Sequence, residues 1–270
     1  MKKLFAMILA AMMILCSCAF AETTDNSLQA ILDKGTLVLG LDASFEPMGY
    51  TNMDGEIVGY DIDLAKEVCS RLGVELVVQP IEWAAKELEL SSGNIDCIWN
   101  GMSITPERQE SMALSEAYMN NQIVLLVCDD SLKSKDDLAG KKMGVQSGSF
   151  AEEVLETYEQ YADYYASLDE VLDYQDYETA IMDMKNGQID GIMIDLVVAN
   201  AKIKNLEDDS LKVIDTFEDD LYAIGFRKDD LALRDKVNEI LNEMAADGTL
   251  AKISETWFGS DISLVGKEAE

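Results

Sequence analysis

Ser92-Gly93-Asn94-Ile95-Asp96-Cys97-Ile98 and Asn186-Gly187-Gln188-Ile189-Asp190-Gly191-Ile192 are built alike. In each, a glycine ends a helix, one polar residue turns the chain, and Ile-Asp-x-Ile enters a strand. Two copies of one helix-to-strand turn imply two lobes of like construction facing each other, at a spacing too long for a solenoid. Outward from the first copy, Thr36 to Leu41 reads as a buried strand. Asp61 reads as the cap of a helix whose apolar stripe is Ile62, Leu64, Ala65, Val68, Cys69 and Leu72, closed by Gly73. A strand at Val74 to Gln79, a short helix at Ala84 to Leu90 and a strand at Ile95 to Trp99 follow. Strands alternating with helices predict a parallel sheet flanked by helices, an α/β lobe.

Around the second copy the same alternation recurs: strands at Gln122 to Val127 and Lys142 to Val145, helices from Ser149 and from Tyr177 to Asn186, and a strand at Ile189 to Ile194. Leu221 to Phe226 is a further strand, and helices through Leu231 to Ala246 and Leu250 to Trp257 are assigned back to the first lobe. The expected organisation is therefore residues 25–121 plus 222–262 for lobe 1 and 122–221 for lobe 2. The chain then crosses between lobes near Asn121 to Ile123 and again near Asp220 to Ala223, the layout of a hinge.

The N-terminus reads as an export signal over residues 1–21. Lys2 and Lys3 precede a charge-free apolar run, and Ala19-Phe20-Ala21 supplies small residues for cleavage. That run is shorter than the ~18 residues wanted for a spanning helix. Leu15-Cys16-Ser17-Cys18 offers a rival site resembling a lipoprotein signal, which would leave Cys18 acylated as the new N-terminus.

Composition removes several function classes. A formal charge of −31 opposes binding to nucleic acid or to an anionic membrane, because phosphate recognition needs clustered Lys and Arg. The chain has no histidine, which excludes Ser-His-Asp and Cys-His nucleophilic machinery and His-containing zinc sites. Cys69, Cys97 and Cys128 sit in apolar patterns and read as buried small hydrophobes rather than as a disulfide framework or metal ligands. No metal and no cofactor is expected.

Ligands of open α/β sheets sit at the carboxyl ends of strands. Four segments place polar residues there: Asp42 to Pro47, Asn100 to Arg108, Gln146 to Ser149, and Asp195. With these in hand, the chain resembles a known family. Val58-Gly59-Tyr60-Asp61-Ile62-Asp63-Leu64-Ala65-Lys66-Glu67, Ser103-Ile104-Thr105-Pro106-Glu107-Arg108, Gly144-Val145-Gln146-Ser147-Gly148-Ser149 and the tail from Met244 to Thr249 ending in Trp257-Phe258-Gly259 are similar to the polar-amino-acid class of bacterial solute-binding proteins. These have the two-lobed type II periplasmic-binding-protein fold and serve the membrane permeases of ABC importers.

The resemblance implies roles. Arg108 would clamp a ligand α-carboxylate, a task suited to a planar guanidinium. Ser149, opening a helix, would be its second contact. Asp195 would pair with the α-ammonium, with Ser103 and the carbonyl of Gly101 as further acceptors. Phe45 and Trp83 would sandwich the side chain, and Asp42 would lie near it. Asn100 and Gly101 stand where many relatives carry Ser or Ala, so they bear on the pocket's shape. Cys69 matches a bridged cysteine of some relatives, but Leu76 holds the partner position and no bridge is expected.

The implied protein is an extracytoplasmic, monomeric amino-acid carrier without enzymatic activity. Its ligand is expected to be polar or cationic rather than acidic, because Arg71, Arg227 and Arg234 lie away from the site segments. The rival is an exported lyase or dehydratase on the same fold, with Glu46 as general acid.

Overall fold

The computed structural model describes residues 25–205 and 209–267. The expected signal segment and Cys18 lie outside them. No helix among the described residues is long and apolar enough to cross a membrane.

The first lobe opens with α1 (Ser27–Lys34) and β1 (Thr36–Leu41), followed by a small antiparallel sheet of β2 (Ser44–Phe45), β3 (Gly49–Thr51) and β4 (Ile57–Val58). Then come α2 (Tyr60–Leu72), β5 (Glu75–Pro80), a 3₁₀ turn at Trp83–Ala85, α3 (Lys86–Ser91), β6 (Cys97–Ser103), α4 (Pro106–Ser111) and β7 (Met112–Leu114). After β8 (Met119–Val127) the second lobe is built from β9 (Lys142–Gln146), α5 (Phe150–Thr157), α6 (Ala162–Ser167), β10 (Glu170–Tyr174), α7 (Tyr177–Lys185), β11 (Gly191–Asp195) and α8 (Leu196–Asn205). The long β12 (Lys212–Arg227) returns to the first lobe, which α9 (Leu231–Ala246) and α10 (Thr249–Phe258) complete.

One sheet runs through both lobes in the order β10-β9-β11-β8-β12-β6-β1-β5, with β7 also on β12. Its two ends are parallel, as the alternation of strands and helices requires, and its centre is antiparallel. The two crossings between lobes are therefore hydrogen-bonded neighbours, with Asn121 facing Asp220 and Gln122 facing Asp219. β12 shifts register between Val213 and Asp215 and again between Thr216 and Glu218, the bulges by which a long strand changes direction. Separate apolar cores cover the sheet faces, one around Met143, Val145 and Val154 in the second lobe and one around Ile95, Ile98 and Met102 in the first. A larger core, through Leu37, Leu39 and Val68, covers the remaining faces.

The repeated turn is one structural device used twice. Asp96 accepts the N–H of Val38 at 2.8 Å and its own N–H bonds the Val38 carbonyl at 2.7 Å; Asp190 does the same with Lys142, at 2.9 Å in both bonds. Each aspartate thus ties the start of its strand to the neighbouring parallel strand. Because these bonds occupy the turn, β6 and β11 begin at Cys97 and Gly191, two residues beyond the expected starts.

Asp61 differs from its expected role. The helix is preceded by Gly59, and Asp61 lies inside the first turn, fully buried. Its carboxylate accepts the N–H of Gly101 at 2.7 Å and the hydroxyl of Tyr118 at 3.0 Å. Burial raises its pKa to about 7. Cys69 and Cys97 are buried free thiols, and Cys128 Sγ reaches the Met184 carbonyl at 3.5 Å.

Candidate functional site

The carboxyl ends of β6, β9 and β11 meet around a cavity of about 220 Å³ lined by Phe45, Trp83, Gly101, Ser103, Arg108, Gln146, Ser149, Phe150 and Asp195. Larger hollows of about 1170 and 1220 Å³ flank the paired strands β8 and β12, but the buried charges of opposite sign converge on the small cavity.

The positive pole is carried by α4 and the segment before it. Thr105 caps this short helix by accepting the N–H of Arg108, and Pro106 follows it at a position that needs no donor. The Arg108 guanidinium is turned inward and 5 % exposed. It donates to two carbonyls, Ser103 O at 2.9 Å and Gly148 O at 3.2 Å, and forms no ion pair among the described residues. Burial holds its pKa below the ordinary value, against the opposing pull of the Glu87, Glu153, Asp220 and Asp195 charges. Across the cleft, Ser149 is the N-cap of α5, its Oγ accepting from the N–H of Glu152 at 3.1 Å. The capping bond uses a lone pair, and the same hydroxyl also hydrogen-bonds that of Tyr177.

The negative pole lies beside the paired strands β8 and β12. Asp195, at the end of β11, receives Asn121 Nδ2 and the Tyr222 hydroxyl on Oδ1, each at 2.7 Å, and the Tyr177 hydroxyl on Oδ2 at a long 3.4 Å. Asp220 receives Ser103 Oγ at 2.8 Å and the same Asn121 amide at 3.0 Å. Neither carboxylate has a cationic partner within ion-pair distance among the described residues. Desolvation, and for Asp195 the neighbouring Asp220 charge, push the pair up, to about 7 and about 6.

Between the poles, Phe45 and Trp83 form the walls. Gly101 has φ +58°, and a Cβ there would stand 2.9 Å from the Phe45 ring and 3.0 Å from that of Tyr222. Glycine at this point is therefore demanded by backbone conformation and by space together. Asp61 fixes the peptide from behind.

Two expected residues do not line the cavity. Asp42 sits behind Gln146, its Oδ1 taken by the backbone and hydroxyl of Ser44 and its Oδ2 by Gln146 Nε2 at 2.7 Å. Asn100 accepts the N–H of Asp42 at 2.9 Å, and its Nδ2 is buried without a partner. Both support the wall rather than form it. Glu46 also turns away, toward Lys202 at 3.5 Å and Asn205 at 2.7 Å on α8, so the acid proposed for a lyase does not face the cavity.

The structure adds residues that sequence reasoning passed over. Gln146 belonged to a segment singled out for its place at a strand end, but its contact with the cavity needed the fold. Lys86 carried no signal at all in a helix rich in Glu. It is 2 % exposed, 5.0 Å from the centre of the Trp83 ring, and donates to Gly148 O at 2.8 Å. Its one ion pair among the described residues is with the surface-facing Glu87 at 3.2 Å. Burial, reinforced by the nearby Arg108 charge, lowers its pKa to about 8.

A cavity with an unpaired guanidinium at one end and the Asp195 carboxylate at the other, Asp220 standing behind Ser103, suits a small zwitterion. Residues 37–260 match the family model described as bacterial extracellular solute-binding proteins, family 3. The L-cystine-binding protein TcyJ of Escherichia coli is 32% identical over 91% of this chain and 90% of its own length. The arginine-binding extracellular protein ArtP of Bacillus subtilis is 32% identical over 96% and 98%. The crystal structure of a Streptococcus pneumoniae ABC uptake transporter substrate binding protein with bound histidine superposes with a TM-score of 0.85 at 36% identity, covering 90% of this chain and 99% of that one.

Proposed function

Because this chain belongs to the bacterial extracellular solute-binding proteins of family 3, we propose that it captures a polar or cationic L-amino acid between its two lobes and delivers it to the permease of an ABC importer. It is an extracytoplasmic binding protein, not an enzyme. The observation that carries the reading is the opposition of buried Arg108 to buried Asp195 across one cavity, with buried Asp220 behind Ser103, each charge lacking a close ion-pair partner among the described residues. An isolated buried charge is costly, and a zwitterion pairs with both poles at once.

In this reading Arg108 and Ser149 hold the α-carboxylate, while Asp195, Ser103 and the Gly101 carbonyl hold the ammonium. Phe45 and Trp83 enclose the side chain. Lobe 1 comprises residues 25–121 and 222–262 and lobe 2 residues 122–221, hinged where Asn121 faces Asp220. Ligand contacts divided between lobes favour the closed state. The protein works as a monomer, and Cys18 is a candidate lipid anchor.

The end of the cavity near Asp42 supports the ligand class. Gln146 Nε2 gives one proton to Asp42 Oδ2 at 2.7 Å and one to the Gln175 carbonyl at 2.9 Å, so only its amide oxygen remains for a guest. An acceptor backed by a carboxylate suits a side chain with N–H donors and opposes a second carboxylate. Lys86 does not offset this: it belongs to the opposite pole, on Gly148 O.

Native mass spectrometry of freshly purified protein, followed by thermal-shift screening of the standard amino acids with cystine and ornithine, tests the reading. The expected result is one bound amino acid with a nitrogen-bearing or polar side chain, unchanged after prolonged incubation. A largest shift with glutamate or aspartate would overturn the ligand class. Conversion of the amino acid to a product would overturn the carrier itself.

A further inference from the structure

Ser103 is held at both ends. Its carbonyl accepts Arg108 Nη1 at 2.9 Å, and its hydroxyl donates to Asp220 Oδ2 at 2.8 Å. A serine hydroxyl has a single proton. With that proton directed to Asp220, whatever Ser103 Oγ offers to the cavity is a lone pair.

The Asp220 carboxylate is itself tightly placed. It is 6 % exposed, its Oδ1 accepts the N–H of Leu221 at 2.7 Å, and its Oδ2 shares the Asn121 amide with Asp195. Asp220 does not line the cavity, whereas Ser103 does.

We propose that Asp220 is a positioning residue for the ligand's amino group: by taking the only proton of Ser103 it fixes that hydroxyl as an acceptor, and so makes the site select an ammonium, rich in donors, over a hydroxyl. This rests on the amino-acid-binding reading above and deepens it. Asp220 lies on the hinge strand β12, opposite Asn121 on β8, and Ser103 ends β6 in the first lobe. The acceptor is therefore set by the relative placement of three strands of the sheet.

A double-mutant cycle separates action through Ser103 from a direct pull of the Asp220 charge on the ligand. Wild type, Asp220→Ala, Ser103→Ala and the double variant are titrated calorimetrically at about pH 8 with L-arginine, L-histidine and L-cystine, and the tightest of the three is carried through the cycle. Each single change is expected to weaken binding ~10-fold, and the double variant to be no weaker than the weaker single variant within ~2-fold. The preference for the amino acid over its 2-hydroxy counterpart should also fall ~10-fold in Asp220→Ala, because the released Ser103 proton can then serve a hydroxyl oxygen. If Asp220→Ala does not fold, Asp220→Leu, which likewise cannot accept the Ser103 proton, takes its place in the cycle. Losses that multiply to ~100-fold in the double variant, or an unchanged preference over the hydroxy acid, overturn the proposal while leaving amino-acid binding intact. Failure of the wild-type protein to bind any amino acid in the broader screen overturns both.

Discussion

The Lys86 ammonium donates to the carbonyl of Gly148 at 2.8 Å, joining the first turn of α3 in one lobe to the turn before α5 in the other. Arg108 Nη2 reaches the same oxygen at 3.2 Å. On the proposed reading, a guest carboxylate that draws Arg108 toward itself would leave Lys86 holding Gly148, and this contact would keep the lobes closed over an occupied site. Lys86→Met is predicted to weaken every ligand by a similar factor, ~3–10-fold, through faster dissociation. Stopped-flow dissociation rates would check this, and a loss confined to the association rate would show that the contact does not act as a latch.

Gly148 provides an independent probe of the same closure. Its φ is +72°, and a Cβ there would stand 2.9 Å from the Ala84 backbone on the facing lobe. Gly148→Ala therefore combines backbone strain with an obstruction at the line of contact, and ~10-fold or greater loss of affinity is expected. Small-angle scattering should show a larger radius of gyration for the ligand-saturated variant than for saturated wild type; identical curves would rule the obstruction out.

Arg108→Ala removes the only guanidinium lining the cavity among the described residues and, on the proposed reading, would leave a ligand carboxylate buried without its partner. That costs about 3–5 kcal/mol, more than two decades of affinity. Calorimetry is the measurement, with circular dichroism verifying the fold, and affinity equal to wild type would remove Arg108 from the site.

The hinge carboxylates give binding a pH dependence whose sign follows from their shifts. Burial raises Asp195 to about 7 and Asp220 to about 6 from the ordinary 3.8. Between that ordinary value and neutrality the empty closed protein holds protons that exposed carboxylates would have released, so its own stability from this source is greatest at low pH and is lost as pH rises through the raised values. An incoming ammonium favours the ionised form and must expel those protons. Affinity should therefore be full above about pH 7 and fall as pH drops, by ~10-fold or more at about pH 5.5. Calorimetry near pH 6 in buffers of different ionisation enthalpy should detect proton release on binding, and a flat profile with no proton exchange would contradict the assignment of the ammonium to this pole.

Gly101→Ala tests the wall between the poles. The left-handed φ of +58° and the crowding by Phe45 and Tyr222 predict a loss of ~1–3 kcal/mol of stability, together with weaker binding. Thermal melting with and without ligand checks both, and a variant as stable as wild type would mean that the rings can move aside.

The sequence by itself determined the fold class, two α/β units of like construction. The period-two and period-3.6 patterns from Thr36 to Leu72 specify strand and helix because only those geometries bury Leu37, Leu39, Ile62 and Val68 together. The repeated Ile-Asp turn announced two similar units, and Arg108, Ser149 and Asp195 were singled out through the resemblance of their motifs to a known family, in segments that follow strands. What the tertiary structure decided were relations between residues distant in the chain. Asp61 reads as a cap, yet it turns inward because the peptide of Gly101, 40 residues away, offers it an N–H. The start of β12 is masked in sequence by Asp215, Glu218, Asp219 and Asp220, and pairing with β8 is what makes it a strand. Glu46 and Asp42 have the same charge and lie four residues apart; one faces Lys202 and the other Gln146, according to which neighbour the fold brings near. Lys86, an ordinary surface residue by composition, is buried because the other lobe closes over it. Local patterns report which face of an element is apolar, whereas the partner of a polar side chain depends on long-range contacts that no local window contains.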